Sequence, residues 1–319
     1  VGARATRITR EELLTPPEFL GCEPRGHQAA RVGGARIELV RVGDQTQLGT
    51  CYQQVPVRLM PPFIVGSEPA SLLYLINLTA GLMDGDGHRV EVHAGQGTHA
   101  LVTGQSATRV HPAGSSFATQ QWSVTVEDDA CLVVLPGPTI PFHGCRYYQR
   151  GRVELAPSAR LIWGDIWLAG RYDRGILSER FQFERIVQDF EARRAGRLLY
   201  RDRFRWDGPW TADQAAWFFG GALATASLFV AGPVPTLPAL TAPAFQRSVF
   251  PLDATTTCLR WYGHPTAVTA DLCRVALGLA ATWTGGPDAP PWFLESTDLA
   301  PNHWFSALPP VTVSPPDVG

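Results

Sequence analysis

The residues with the most chemistry in them crowd into one stretch, residues 81–112, GLMDGDGHRVEVHAGQGTHALVTGQSATRVHP, which holds four of the eight histidines. A metal site is the first chemistry such a cluster suggests, because neutral imidazole ligates divalent transition metals. The spacing argues against it. His88 and His93 are an odd number of residues apart, so on one strand they point to opposite faces. His93 and His99 would meet only across a hairpin closed by AGQGT, and no HExxH or HxH motif is present. Nucleotide binding fares no better. GQGTHA matches GxGxx(G/A), but a dinucleotide site needs a helix next and an acidic residue about 20 positions on. ALVTG follows instead, and neither Asp nor Glu occurs between Glu91 and Glu127. The glycines read as a tight turn. A P-loop requires a lysine, and all 27 basic residues are arginine.

Nucleophilic chemistry has one candidate. His143 and Cys145 in FHGCRY lie two residues apart and share a strand face, the arrangement a Cys/His pair would need. Burial of Cys145 is the competing reading. Ser106 in GQSAT lacks the GxSxG elbow, and His111, His143 and His264 stand singly beside proline or glycine.

The elements that would carry these residues are mostly short strands. ARIELVRV, HRVEVHA, QWSVTV, CLVVL, GRVEL and RLIWGDIWL alternate or run apolar between glycine and proline turns, as strands do. Phe181 and Phe183 alternate with Arg180 and Gln182, which predicts one more strand there. Residues 231–245 read as a proline-punctuated loop and TTTCLRWYG as a strand. Val268, Leu272, Val275 and Ala276 follow at helical spacing, with Thr266 or Thr269 as the expected cap. No exact internal repeat appears. The tail from Gly285 is rich in proline and tryptophan and reads as an extended strap.

Composition bounds the function. A 319-residue chain with 45% hydrophobic residues can bury a large core. A net charge of −2 gives no global field for nucleic acid or an acidic membrane. AAWFFGGALATASLFVA is 17 residues long, at the lower edge for a spanning helix, and its Gly-Gly pair and polar residues favour a buried segment instead. The six cysteines form no CxxC pair, and residues 1–12 have no apolar run after Arg4, Arg7 and Arg10. Reduced thiols in a cytoplasmic protein are therefore expected.

Taken in order, DGDGHRVEV, GQGTHALVTGQSATRVH, LPGPTIPFHGCRYYQ, IWGDIWLAGRYDRG, SERFQF and GRLLYRDR resemble the UreD (UreH) family of urease accessory proteins. Gly85 and Asp86 match the family's first turn, Gly95 and Gly97 its second, and Gln105–Val110 its AATK-like run with Arg109 for lysine. Ile140, Pro141 and Phe142 match its IPF segment, and LRWYG with the helix at 266–283 its closing strand and helix. The resemblance covers residues 33–295, leaving an amino-terminal extension at 1–32 and a tail at 296–319.

The resemblance implies a mainly β fold of many short strands in a β-helix-like stack, with a helical element near the carboxyl end. It implies a maturation chaperone for nickel urease rather than an enzyme. Such a protein bridges urease apoprotein to UreF and, through UreF, to the GTPase UreG, and conducts nickel to the urease active site with no tightly bound cofactor. A hydrated cation crossing a protein interior needs oxygen-rich, partly solvated steps. By motif match the candidates for such steps are Asp86, Asp165 and Glu179, and ion pairing with Arg171, Arg174 or Arg180 is the competing role. Two other functions stay open: an all-β enzyme using Cys145 and His143, and a carbohydrate-binding or scaffold module built on the ten tryptophans.

Overall fold

The computed structural model describes residues 6–22, 31–64, 70–171, 179–235, 237 and 239–284. Two strands, β1 (Val32–Val42) and β2 (Gln45–Gln54), pair antiparallel and lead into the short β3 (Val57–Leu59) and β4 (Phe63–Ile64). From β5 (Ala70–Asn77) the chain starts to wind. One coil comprises β6 (Gly87–Ala94), β7 (His99–Gly104) and β8 (Thr108–Val110). The next comprises β9 (Ala118–Val126), β10 (Cys131–Leu135) and β11 (Pro138–Pro141). A third runs through β12 (Arg146–Leu155) and β13 (Arg160–Leu168) to β14 (Arg185–Arg194).

Each coil lays one strand in each of two facing sheets. The parallel pairs β1–β6–β9–β12–β14 build the first sheet, and β5–β7–β10–β13 build the second. This is the expected β-helix-like stack. Antiparallel strands complete it: β15 (Arg197–Asp207) on β14, then β16 (Ala224–Ala231), β17 (Leu240–Ala242), β18 (Phe245–Pro251) and β19 (Thr256–Gly263) beyond β13. Among the described residues two α-helices remain, α1 (Ala212–Phe219) and α2 (Pro265–Thr284).

Alternation decides what faces inward. Val90, Trp122, Gly151 and Phe190 occupy one register level of the first sheet. A Cβ on Gly151 would lie 2.7 Å from the Phe190 ring, so glycine there lets large rings meet over the backbone. Trp163 packs edge-on to Trp122 at 5.7 Å and tilted on Phe190 at 5.1 Å. On the outer face of the second sheet, α2 buries Val268, Leu272, Val275 and Ala276, as their spacing predicts. Its Asp271 is buried and held by Arg247 Nη1 at 2.7 Å, Trp261 Nε1 at 2.8 Å and Arg274 Nη2 at 2.5 Å. Residues 6–22 lie across the first sheet, with Glu12 paired to Arg36 and Glu18 to Arg203.

Several local expectations change. Phe181 and Phe183 are buried and their neighbours less so, but the segment is a turn, with Phe181 at φ 58°. The 17-residue run at 215–231 is not one buried segment. α1 ends at Gly220, whose φ of 58° suits a helix cap, and β16 follows after the turn. Trp217 and Phe218 are exposed on α1, while Phe219, Leu228 and Phe229 enter the core. Among the described residues no helix is long and apolar enough to cross a membrane. The loop at 231–245 contains β17. Thr269 lies inside α2, buried and with its hydroxyl unpaired, so it is no cap. The proline-rich tail lies outside the described residues.

Candidate functional site

One level of the interior is polar. His88, Gln120, Gln149 and Gln188 stand in parallel register on β6, β9, β12 and β14. At the spacing of hydrogen-bonded strands the row spans roughly 15 Å along the stack. Apolar rows bound it on both sides: Ala118, Tyr147 and Ile186 on one, and Val90, Trp122 and Phe190 on the other.

Asp165 enters this row from the second sheet, where it shares a level with Ser227 and Arg260. Gln149 Nε2 donates to Asp165 Oδ1 at 2.5 Å, and Trp163 Nε1 donates to Oδ2 at 2.8 Å. Trp167 Nε1 donates to Gln188 Oε1 at 2.8 Å, and the Tyr147 hydroxyl to Gln120 Oε1 at 3.3 Å. Burial pushes the Asp165 carboxyl up to about 6, against the two donors and Arg260, which pull it down. Asp202 adds a further push upward. The ionised carboxylate is thus costly where it stands.

Both ends of the row have openings or partners. At the β14–β15 end, Arg260 Nη2 donates to Asp202 Oδ2 at 2.7 Å and to the Tyr200 hydroxyl at 2.9 Å. Arg260 is exposed in part. At the β6 end lies a cavity of about 60 Å³ lined by His88, Gln120, Trp122, Gly104 and Pro136. Burial holds the His88 imidazole down at about 4, so the ring is neutral at neutral pH.

The three carboxylates singled out by motif are not brought together. Only Asp165 lies in the interior row. Asp86 is a buried turn carboxylate: Oδ1 accepts the Arg31 N–H at 2.8 Å and Oδ2 the Met83 N–H at 2.9 Å. Asp86→Ala orphans two backbone donors, and we expect a loss of about 2–4 kcal/mol, read as a lower urea midpoint at unchanged slope. Glu179 is ion-paired with Arg171, which holds its carboxyl below the usual range, and it also accepts the His143 N–H at 3.0 Å. Arg174 lies outside the described residues.

Cys145 and His143 do not form a pair. The thiol is fully buried among apolar residues and pushed far up by burial, while His143 is exposed. Cys145 is a core residue. His93 and His99 do not face each other across a hairpin either, because the AGQGT turn carries the chain from one sheet to the other. His93 pairs with Glu127 at 2.8 Å. Among the described residues no group of three or more His, Cys, Asp or Glu is placed to hold a metal. Of the eight described tryptophans only Trp217 is exposed, so no aromatic platform for a sugar is present among them.

The amides at Gln120, Gln149 and Gln188 were not among the sequence candidates. A signal for them exists: each opens an inward-facing alternation, as in QxWxVxV, QxGxVxL and QxFxA, and HxVxVxA at His88 has the same form.

A family model described as UreD urease accessory protein matches residues 31–293. Urease accessory protein UreD of Anaeromyxobacter sp. is 32% identical over 196 residues, 61% of this chain and 64% of the relative. Urease accessory protein UreD 2 of Streptomyces griseus is 32% identical over 179 residues, 55% of this chain and 60% of the relative. Urease accessory protein UreD 2 of Synechococcus sp. is 31% identical over 217 residues, covering 65% and 77%. The chain spans less than two thirds of the length of the first two of these relatives.

Proposed function

The chain belongs to the UreD family of urease accessory proteins, a family of maturation factors and not of enzymes, and on that premise we propose that it bridges and conducts during urease maturation. It joins urease apoprotein to a UreF-like partner, and through that partner to the GTPase UreG, in the cytoplasm. Nickel is its cargo and passes through the interior along the polar row. One observation carries the reading: a file of neutral amides and one carboxylate threads a core that is otherwise apolar. Amide oxygens and a single carboxylate replace part of a cation's hydration without the tight hold of a thiolate cluster. Asp165 is the ionisable step on that route. Asp86 and Glu179, engaged in a turn and an ion pair, would act only at its margins.

The partner surface is proposed at α1. Trp217 is 84% exposed and Phe218 53% exposed, an unusual display for such large apolar side chains. Copurification with a tagged UreF-like protein and urease apoprotein, followed by the nickel content of the urease, tests the reading. Trp217→Ser should weaken association at least about tenfold, as loss of an aromatic anchor does, and leave the melting temperature of the chain unchanged. Wild-type retention of the partner by that variant would remove α1 from the interface, and failure of the wild-type chain to copurify with either partner would defeat the bridging role.

A further inference from the structure

We propose that the cavity at the β6 end of the polar row binds a small monovalent anion, a halide or a short carboxylate, between Arg109, Trp122, His88 and Gln120. The site goes beyond the maturation reading and does not depend on it. Its wall carries donors that nothing in the fold uses. Trp122 and His88 are 2% and 3% exposed, and among the described residues Trp122 Nε1 and His88 Nε2 have no hydrogen-bond partner. An indole N–H can only donate, and a buried donor left unpaired is costly. Gln120 Oε1 accepts from the Tyr147 hydroxyl at 3.3 Å, which leaves the amide NH₂ for another acceptor. Asn77, on the same wall, has no such acceptor to spare, because its Oδ1 takes the Thr79 N–H at 3.1 Å.

Charge selects the occupant. Arg109, in the run Gln105–Val110, is half-buried and is the one charged side chain among the described residues of the wall. It forms no ion pair among the described residues, and no carboxylate of theirs lines the cavity. Burial keeps the His88 ring neutral, so with its proton on Nε2 it adds an N–H and not a second charge. Water would satisfy the donors and leave the guanidinium uncompensated, whereas an anion answers both. Ser106, exposed at the same wall, lies where the cavity meets solvent. A cavity of about 60 Å³ has room for such an ion with a little water but not for an organic cofactor. A ligand of so few atoms binds no tighter than about 1 mM.

The test titrates the full chain with chloride at fixed ionic strength, gluconate being the balancing anion, and follows the chlorine-35 NMR linewidth. Excess broadening should saturate in the millimolar range, and formate should reverse it. Arg109→Gln and Trp122→Phe should each weaken binding about tenfold, the first by removing the charge and the second by removing one buried donor while keeping a ring. Crystals soaked in bromide should show an anomalous peak within hydrogen-bonding reach of Arg109 and Trp122. Broadening that does not saturate, or that both variants share in full, means an adventitious ion only and overturns the proposal. So does water in the cavity where bromide should lie. Should either variant fail to fold, the bromide position in the wild-type chain decides.

Discussion

Asp165→Asn should stabilise the chain by about 2–3 kcal/mol at neutral pH and still slow nickel loading about tenfold. The two effects share one cause. A carboxyl raised to about 6 in the fold, from an ordinary 3.8, binds its proton more tightly folded than unfolded. Its penalty is absent below about pH 4, grows as pH rises between the two values, and is complete above about pH 6. Asparagine removes the penalty, so the gain should appear only on the neutral side of that window. The shape is conserved as well: Gln149 can turn its amide to present oxygen to the new NH₂, while Trp163 still donates to the remaining oxygen. Urea melts of both proteins at pH 4 and pH 7.5 check the stability arm. A variant equally or less stable at pH 7.5 would show that the buried carboxylate carries no such cost. Loading at the wild-type rate would show that it carries no cargo.

Arg247→Leu should have the largest destabilising effect, about 3–5 kcal/mol, because it strips a buried carboxylate of its buried counter-charge. Arg247 and Asp271 are 5% and 7% exposed, and their pair ties β18 to α2. Burial alone would push Asp271 up, but Trp261, Arg274 and the Arg247 field bring its carboxyl below the ordinary 3.8. The stability this depression gives is present above 3.8 and is lost as pH falls through the folded value. The gap between wild type and variant should therefore narrow in acid. Adding Asp271→Leu to the variant should recover much of the loss, since two apolar groups replace a broken pair. Equal denaturant midpoints for wild type and Arg247→Leu at pH 7 would mean that α2 does not depend on the pair.

Much of the fold was open to reading from local pattern, and its winding was not. Period-two alternation in HRVEVHA and GRVEL reports which side chains share a face, and β6 and β12 form where it occurs. It is silent on which strand lies alongside. AGQGT looks like a hairpin turn because glycine spacing is the same whether the chain folds back or crosses to a facing sheet. The amides of the polar row escaped notice for a related reason. In a lone strand one glutamine among apolar residues reads as an edge or a solvent contact, and only in-register stacking of the coils turns three of them into a line. Asp165 was accessible because WGDIW sets a carboxylate between large apolar residues, where burial can be inferred. Asp86 was recognisable as a turn residue, but its occupation by two backbone donors depends on Arg31, which is distant in sequence. Hydropathy misled at WFFGG: it sums side chains without asking whether a helix end intervenes, and Trp217 is left outside.

The hairpins at either end of the first sheet have a bearing on how the protein survives at high concentration. A parallel coil stack that simply stopped would expose a strand edge ready to receive the coil of another molecule, and such growth has no natural end. Here β2 folds back on β1 and β15 on β14, both antiparallel, so neither parallel edge is offered to a neighbour. The strands that do stand outermost are awkward templates. On β15, Arg201, Arg203 and Arg205 stand at alternate positions and are engaged by Asp189, Glu18 and Asp207, so a strand adding there meets a row of formed ion pairs. Fibre formation on this sheet is thus opposed by the antiparallel strands that cover its two parallel edges.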